Sequence, residues 1–173
     1  MMRPILIAAL FSLTCVSAEA ATLRDKYDAE RHIALDENKV ASYLQKNASW
    51  TAKDGYKPSL TFCSVSSQAC ETTQAETIVS AKFAYRGDYQ AQRNLAYCLN
   101  YGCNGAIVID KTLSCAWRIV IVASATAEVD ATDTGNLQNC MKDLTPVEHA
   151  ASVSRAAKLY KSVYGRAIGR EWR

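Results

Sequence analysis

The stretch Asp88-Tyr89-Gln90-Ala91-Gln92-Arg93-Asn94-Leu95-Ala96-Tyr97-Cys98-Leu99, followed by Gly102-Cys103-Asn104-Gly105 and then Asp110-Lys111-Thr112-Leu113-Ser114-Cys115-Ala116-Trp117, decides the fold. Asp88 is a side chain that caps free amide groups at a helix start. Ala91, Leu95, Cys98 and Leu99 then recur at helical spacing, and the helix stops near Gly102. Gly105 marks a turn, and Asp110 caps a second segment from Lys111 to about Ser124. The β-branched run Ile119 to Val122 has strand propensity, and periodicity alone cannot assign so short an apolar run. Its length and its Asp cap favour a buried helix.

The same signals extend in both directions. Asp36-Glu37 predicts a helix start with Val40, Tyr43 and Leu44 on one face, after a charged segment from Leu23. Lys53 to Ser67, with Gly55 and Pro58, reads as loop. Thr73-Gln74-Ala75-Glu76 is a capping-box pattern opening a helix through Ile78, Phe83 and Tyr85 that closes at Gly87. Downstream, Ala125 to Thr134 reads as loop and Asn136 to Leu144 as a short helix. The last helix is the best marked. Thr145 caps it, Pro146 takes the first helical position, Glu148 completes a capping box and Gly165 ends it. The reading is all-α, built from short antiparallel helix pairs.

A short phrase recurs: Asn94-Leu95-Ala96-Tyr97-Cys98-Leu99 matches Asn136-Leu137-Gln138-Asn139-Cys140-Met141. Together with Ala91, Leu95, Gly102, Gly105, Asp110, Ala116 and Trp117, residues 88–124 resemble the Sel1-like repeat, a relative of the tetratricopeptide repeat. In that family alanines let paired helices approach closely, glycines make the turn, and the Trp fills the gap between stacked pairs. The resemblance implies a compact stack of helix pairs over residues 73–165, preceded by a helix and loop segment (21–72) and followed by a polar tail (166–173). It also implies that Trp117 is buried and architectural, and that the helical surface binds protein partners.

The N-terminus carries Met1-Met2-Arg3, an apolar run from Ile5 to Val16, and Ser17-Ala18-Glu19-Ala20-Ala21. A positive charge, a short apolar core and an Ala-x-Ala site predict a signal peptide over residues 1–20, cut after Ala20 or, alternatively, after Ala18. The run is shorter than the ~20 residues that span a bilayer. Ser12-Leu13-Thr14-Cys15 is a poor match to a lipid-attachment site. Signal removal takes Cys15 from the seven cysteines and leaves Cys63, Cys70, Cys98, Cys103, Cys115 and Cys140. An even number in an exported protein points to disulfides. Closeness in sequence suggests Cys63–Cys70. Within the repeat reading, Cys103–Cys115 would cross the turn and Cys98–Cys140 would join matching positions of neighbouring pairs.

The net charge of +3 is too weak to single out nucleic acid or an anionic membrane as partner. His32 and His149 lie far from the cysteines in sequence, no Cys-x-x-Cys occurs, and no metal or other cofactor is expected. No nucleophile signature, His-Glu-x-x-His or phosphate loop appears. Arg86-Gly87-Asp88 has a sufficient explanation as turn and cap, and Asn47-Ala48-Ser49 matters as a glycosylation site only in a eukaryotic host. Tyr85, Tyr89, Tyr97 and Tyr101 fall at helical spacing, where burial is the commoner fate. Any that are exposed would anchor a protein partner, so Tyr89, Arg93, Tyr97 and Tyr101 form the candidate surface. The favoured function, implied by the resemblance, is a non-catalytic periplasmic interaction module (adaptor, envelope regulator or inhibitor); the alternative is a small secreted hydrolase acting on the cell envelope.

Overall fold

The computed structural model describes residues 11–64 and 67–172, with side chains from Leu23 onward in its first helix. Among these residues it is all-helical: α1 (Phe11–Leu35), α2 (Val40–Asn47), α3 (Gln68–Ala84), α4 (Tyr89–Tyr101), α5 (Lys111–Ser124), α6 (Ala131–Lys142), α7 (Pro146–Tyr164) and a 3-10 turn at Arg170–Trp172. Short connections fold α3 against α4, α4 against α5, and α5 against α6, and α7 returns onto α5. The Ile119–Val122 run is helical. Leu113, Ala116, Trp117, Ile119, Val120 and Ile121 are all buried, so α5 is covered on nearly every side and its β-branched residues have core, not ladder, partners.

The expected caps form. Asp88 accepts from the Ala91 amide at 2.8 Å, Asp110 from the Leu113 amide at 2.9 Å, and Thr145 with Glu148 makes a reciprocal capping box. Gly102 ends α4 at φ +75°, and a Cβ there would lie 3.2 Å from the Ile107 carbonyl, so glycine is required both for the turn and for the close return of the backbone.

Several boundaries differ from the sequence reading. Helix α3 begins at Gln68 under Ser67, five residues before Thr73, whose hydroxyl instead donates to the Ala69 carbonyl inside the helix. Asp130 caps α6, so this helix starts at Ala131 and ends before Leu144. The charged N-terminal segment is itself helical. Leu23, Tyr27 and Ala34 lie at helical spacing, and Tyr27 and Ala34 are buried in the common core where α1 packs on α3. Nor is the C-terminus merely polar: Ile168 is buried and Trp172 packs half-buried against the core. The signal-peptide expectation rests on residues 1–20, of which 1–10 lie outside the described residues, and the expected cut after Ala20 falls within α1. No described helix is long and apolar enough to cross a membrane.

Among the described residues three disulfides form. Cys63–Cys70 is as expected, with Cα atoms 5.8 Å apart. The other two correct the sequence reading: Cys98 pairs with Cys103 (Cα–Cα 4.8 Å) and Cys115 with Cys140 (5.7 Å), in place of Cys103–Cys115 and Cys98–Cys140. The cause is the turn after α4. Positive φ at Gly102, Cys103 and Asn104 curls the backbone over the last turn of its own helix, where Cys98 waits. Cys115 points instead from the interior of α5 toward α6.

The loop before α3 is tied to this same turn. The Thr61 amide donates to Ala106 O (3.0 Å) and the Val108 amide to Ser59 O (2.8 Å), while the buried Gln74 amide reaches both Thr61 O and Ala106 O. At the far end, Glu30 of α1 takes hydrogen bonds from Lys82 of α3 and from the Tyr43 hydroxyl of α2 (2.8 Å).

These ties make the fold acid-sensitive. Burial alone would raise the Glu30 pKa, but Lys82 and Tyr43 outweigh it and hold the carboxyl below its ordinary value. At Asp110 burial is likewise outweighed, by the Leu113 amide, Thr112 and Arg155. A carboxylate whose folded pKa is depressed adds stability above its unfolded pKa, and that stability is lost as pH falls through the folded value. Asp88 acts oppositely, since burial pushes its pKa up, and it offsets part of the loss. The melting temperature should hold above pH ~4 and fall below it. Glu30→Gln should flatten that acid limb in a pH series of melting curves; an unchanged limb would show that Glu30 is not a source of it.

Candidate functional site

Helix α4 presents two faces. Ala91, Leu95 and Leu99 point into the core, whereas Gln90, the neighbours Arg93 and Asn94, Tyr97 and Tyr101 lie along the outer side, one helical turn apart. Tyr97 and Tyr101 are 55% and 61% exposed, with ring centroids 4.9 Å apart. One turn supports the other, so the pair forms a preformed aromatic ledge rather than two independent side chains. Tyr85, by contrast, is buried. Its hydroxyl donates toward Asp54 Oδ1 at 2.6 Å and toward Tyr56 O, and its ring stands edge-on to Trp117.

Arg93 and Tyr89 belong to a network with α6. The Tyr89 hydroxyl donates to Asp133 Oδ2 at 2.5 Å. Arg93 donates from Nη1 to the Tyr89 oxygen (2.9 Å), pairs through Nε with Asp133 Oδ1 (3.3 Å), and lies 3.9 Å from Asp130. Burial and the Asp133 hydrogen bond push the Tyr89 phenol up to about 12, so it stays protonated as a donor. Asp133 is buried and also serves the α6 capping box, which fixes the α4–α6 register at this point. Of the four residues expected to meet a partner, Tyr97 and Tyr101 are free to do so. Tyr89 and Arg93 are half-buried and hold the frame behind them.

Beside the ledge opens a polar cavity of about 460 Å³ lined by Gln90, Arg93, Asn94, Tyr97, Tyr101, Arg118 and Asn136. Gln90 donates to Asn94 Oδ1 (2.9 Å), and Asn94 donates to the buried Tyr27 hydroxyl of α1 (2.9 Å). Asn94 and Asn136, the first residues of the two echoing phrases, thus meet at one cavity, and Leu95 and Leu137 behind them are both buried. The phrases differ in their cysteines, since Cys98 bonds within its own turn and Cys140 bonds to α5.

The wall residue that the sequence reading missed is Arg118, which comes from α5. A lone cation in Leu113-Ser114-Cys115-Ala116-Trp117-Arg118-Ile119-Val120-Ile121 was its available signal. The remaining motif residues are architectural: Ala91, Leu95, Ala116 and Trp117 are fully buried, Gly102 and Gly105 have positive φ, and Asp110 is a cap. Among the described residues no group of His, Cys, Asp and Glu is arranged to hold a metal ion. A second opening, near 390 Å³, is lined by Lys57, Ser59, Asp110, Lys111, Thr112 and Glu148 among others, and both of its carboxylates are occupied as helix caps. Comparison with known proteins finds no matching family model, curated protein or solved structure.

Proposed function

We propose that this protein is a non-catalytic interaction module of the periplasm, an adaptor, envelope regulator or inhibitor that binds a protein partner through the outer face of α4. The observation that carries the reading is the Tyr97–Tyr101 ledge, exposed and prestacked beside a polar cavity. Tyrosine offers large contact area for little conformational entropy, and a rigid aromatic anchor flanked by polar groups is the commonest makeup of an interface hot spot. The three disulfides fit an exported protein in an oxidising compartment. The likeness of residues 88–124 to Sel1-like repeats supports the same class of function.

Replacing Tyr97→Ala together with Tyr101→Ala tests it. Both side chains are exposed, so the melting temperature should move little, while affinity for the partner should fall by at least ~2 kcal/mol, as expected when hot-spot tyrosines are truncated. Partner recovery from envelope extract that is equal for wild type and the double variant would contradict the assignment.

A further inference from the structure

Arg118 is a cation at the wall of the polar cavity, without a counter-charge in contact among the described residues. The residue is nine-tenths buried, it lines the cavity beside the tyrosine ledge, and no hydrogen bond or ion pair reaches its guanidinium among the described residues. Burial pushes its pKa below the ordinary arginine value, with only partial compensation from Tyr101 and Asp133 at a distance. Asp133 makes no ion pair with it and is turned instead to Tyr89, Arg93 and the Asp130 amide. Its nitrogens face the cavity rather than being sealed in the core, so a guanidinium this desolvated and without a partner of its own is placed to take the charge-assisted hydrogen bonds of an anionic ligand.

We infer that this cavity is a binding site for one carboxylate, held by the Arg118 guanidinium with the Asn136 carboxamide beside it. The planar fork of arginine matches the two oxygens of a carboxylate. Charge favours a monoanion. Arg93 is already neutralised by Asp133, leaving a single uncommitted positive charge, and a dianionic phosphate would also face Asp133 and Asp130. The carboxylate would come from the partner that sits on the tyrosine ledge, which rests on the function proposed above. Its source is either an acidic side chain or a free C-terminus.

Three acetylated peptides separate these cases in a titration followed by the Arg118 Nε resonance. One carries a single glutamate and an amidated end, one carries only a free C-terminus, and one replaces the glutamate by glutamine. At least one carboxylate peptide should shift the resonance saturably and bind about tenfold tighter than the glutamine control. The tighter of the two identifies the source. Arg118→Met removes the charge while keeping an unbranched apolar stem. It should melt at or above the wild-type temperature and bind the carboxylate peptide no better than the control, followed by the Asn136 side-chain amide. Arg118→Lys, which keeps the charge without the fork, should fall between. Equal binding of glutamate and glutamine peptides, or undiminished binding by Arg118→Met, overturns the site. Tighter binding of inorganic phosphate than of either carboxylate overturns its assignment. Loss of partner capture in the Tyr97→Ala, Tyr101→Ala variant without carboxylate binding would fell this site alone. Carboxylate binding with capture unaffected would fell the ledge alone.

Discussion

Trp117→Ala is expected to cost about 3–5 kcal/mol of folding stability, the range for truncating a fully buried Trp or Phe. Trp117 has no exposed surface, lies between α5 and its neighbours, and meets the ring of Tyr85 edge-on with centroids 5.1 Å apart. Tyr85 in turn meets Trp50 at 6.3 Å, so one substitution opens a gap at the centre of an aromatic series joining the loop after α2 to α3 and α5. The loss is a large share of the ~5–15 kcal/mol that holds a typical domain together, and should lower the melting temperature by on the order of 10 °C. Trp117→Phe separates packing from polarity. The indole Nε1 is buried without a hydrogen-bond partner, so removing that donor sacrifices no bond and the variant should lose far less. Thermal or urea unfolding of both variants checks this, and a small effect of Trp117→Ala would contradict the place of Trp117 at the centre of the core.

The second large effect concerns Cys115–Cys140. This bridge closes a loop of 25 residues, against 7 for Cys63–Cys70 and 5 for Cys98–Cys103. Cross-linking restricts the unfolded polypeptide more as the loop lengthens, which gives about 3–4 kcal/mol for the longest bridge and nearer 2 for the short ones. Replacing Cys115 and Cys140 together by Ala should therefore destabilise the protein more than the corresponding Cys98 and Cys103 pair, with additional loss because Cys115 is buried at the α5–α6 contact. Denaturant unfolding of the two double variants checks the order. An equal or reversed order would mean that loop closure is not what this bridge contributes.

Much of the helical order was legible because its punctuation is local. Asp88, Asp110 and Thr145 announce helix starts through side chains that reach only three residues, and Gly102 and Gly165 announce ends through φ values that glycine adopts without strain. Burial of Trp117 was expected only through the resemblance of residues 88–124 to a helix-pair repeat, and the structure does bury it. What failed was non-local. The cysteine pairing depends on how sharply the backbone turns after Gly102, which no spacing records. The Thr73 capping box was a true pattern in the wrong place, because Ser67 offers an earlier cap and the helix continues through the later one. In α1 the stripe of Leu23, Tyr27 and Ala34 was masked by surrounding charges, several of which are spent on ion pairs: Arg24 with Asp88, Glu30 with Lys82, and Arg31 with Glu76.

The candidate site divides the same way. Helical spacing placed Tyr97 and Tyr101 on one face of α4, but their exposure depends on where α1, α5 and α6 lie. Tyr89 shares their helix and is instead drawn into the Asp133 network. Arg118 was visible as a charge in an apolar helix, yet only the packing of α4 and α6 beside α5 turns it into the wall of a cavity.

The claim that the α4 face docks a protein is tested most directly by placing a photoreactive phenylalanine analogue at position 97, 101 or 147 in the exporting cell. Position 147 is a control on α7 that is more accessible than either of the α4 positions, since Val147 is exposed. The account predicts a discrete cross-linked adduct from positions 97 and 101 and none of that mass from 147. No adduct from the two α4 positions, or the same adduct from all three, would contradict it.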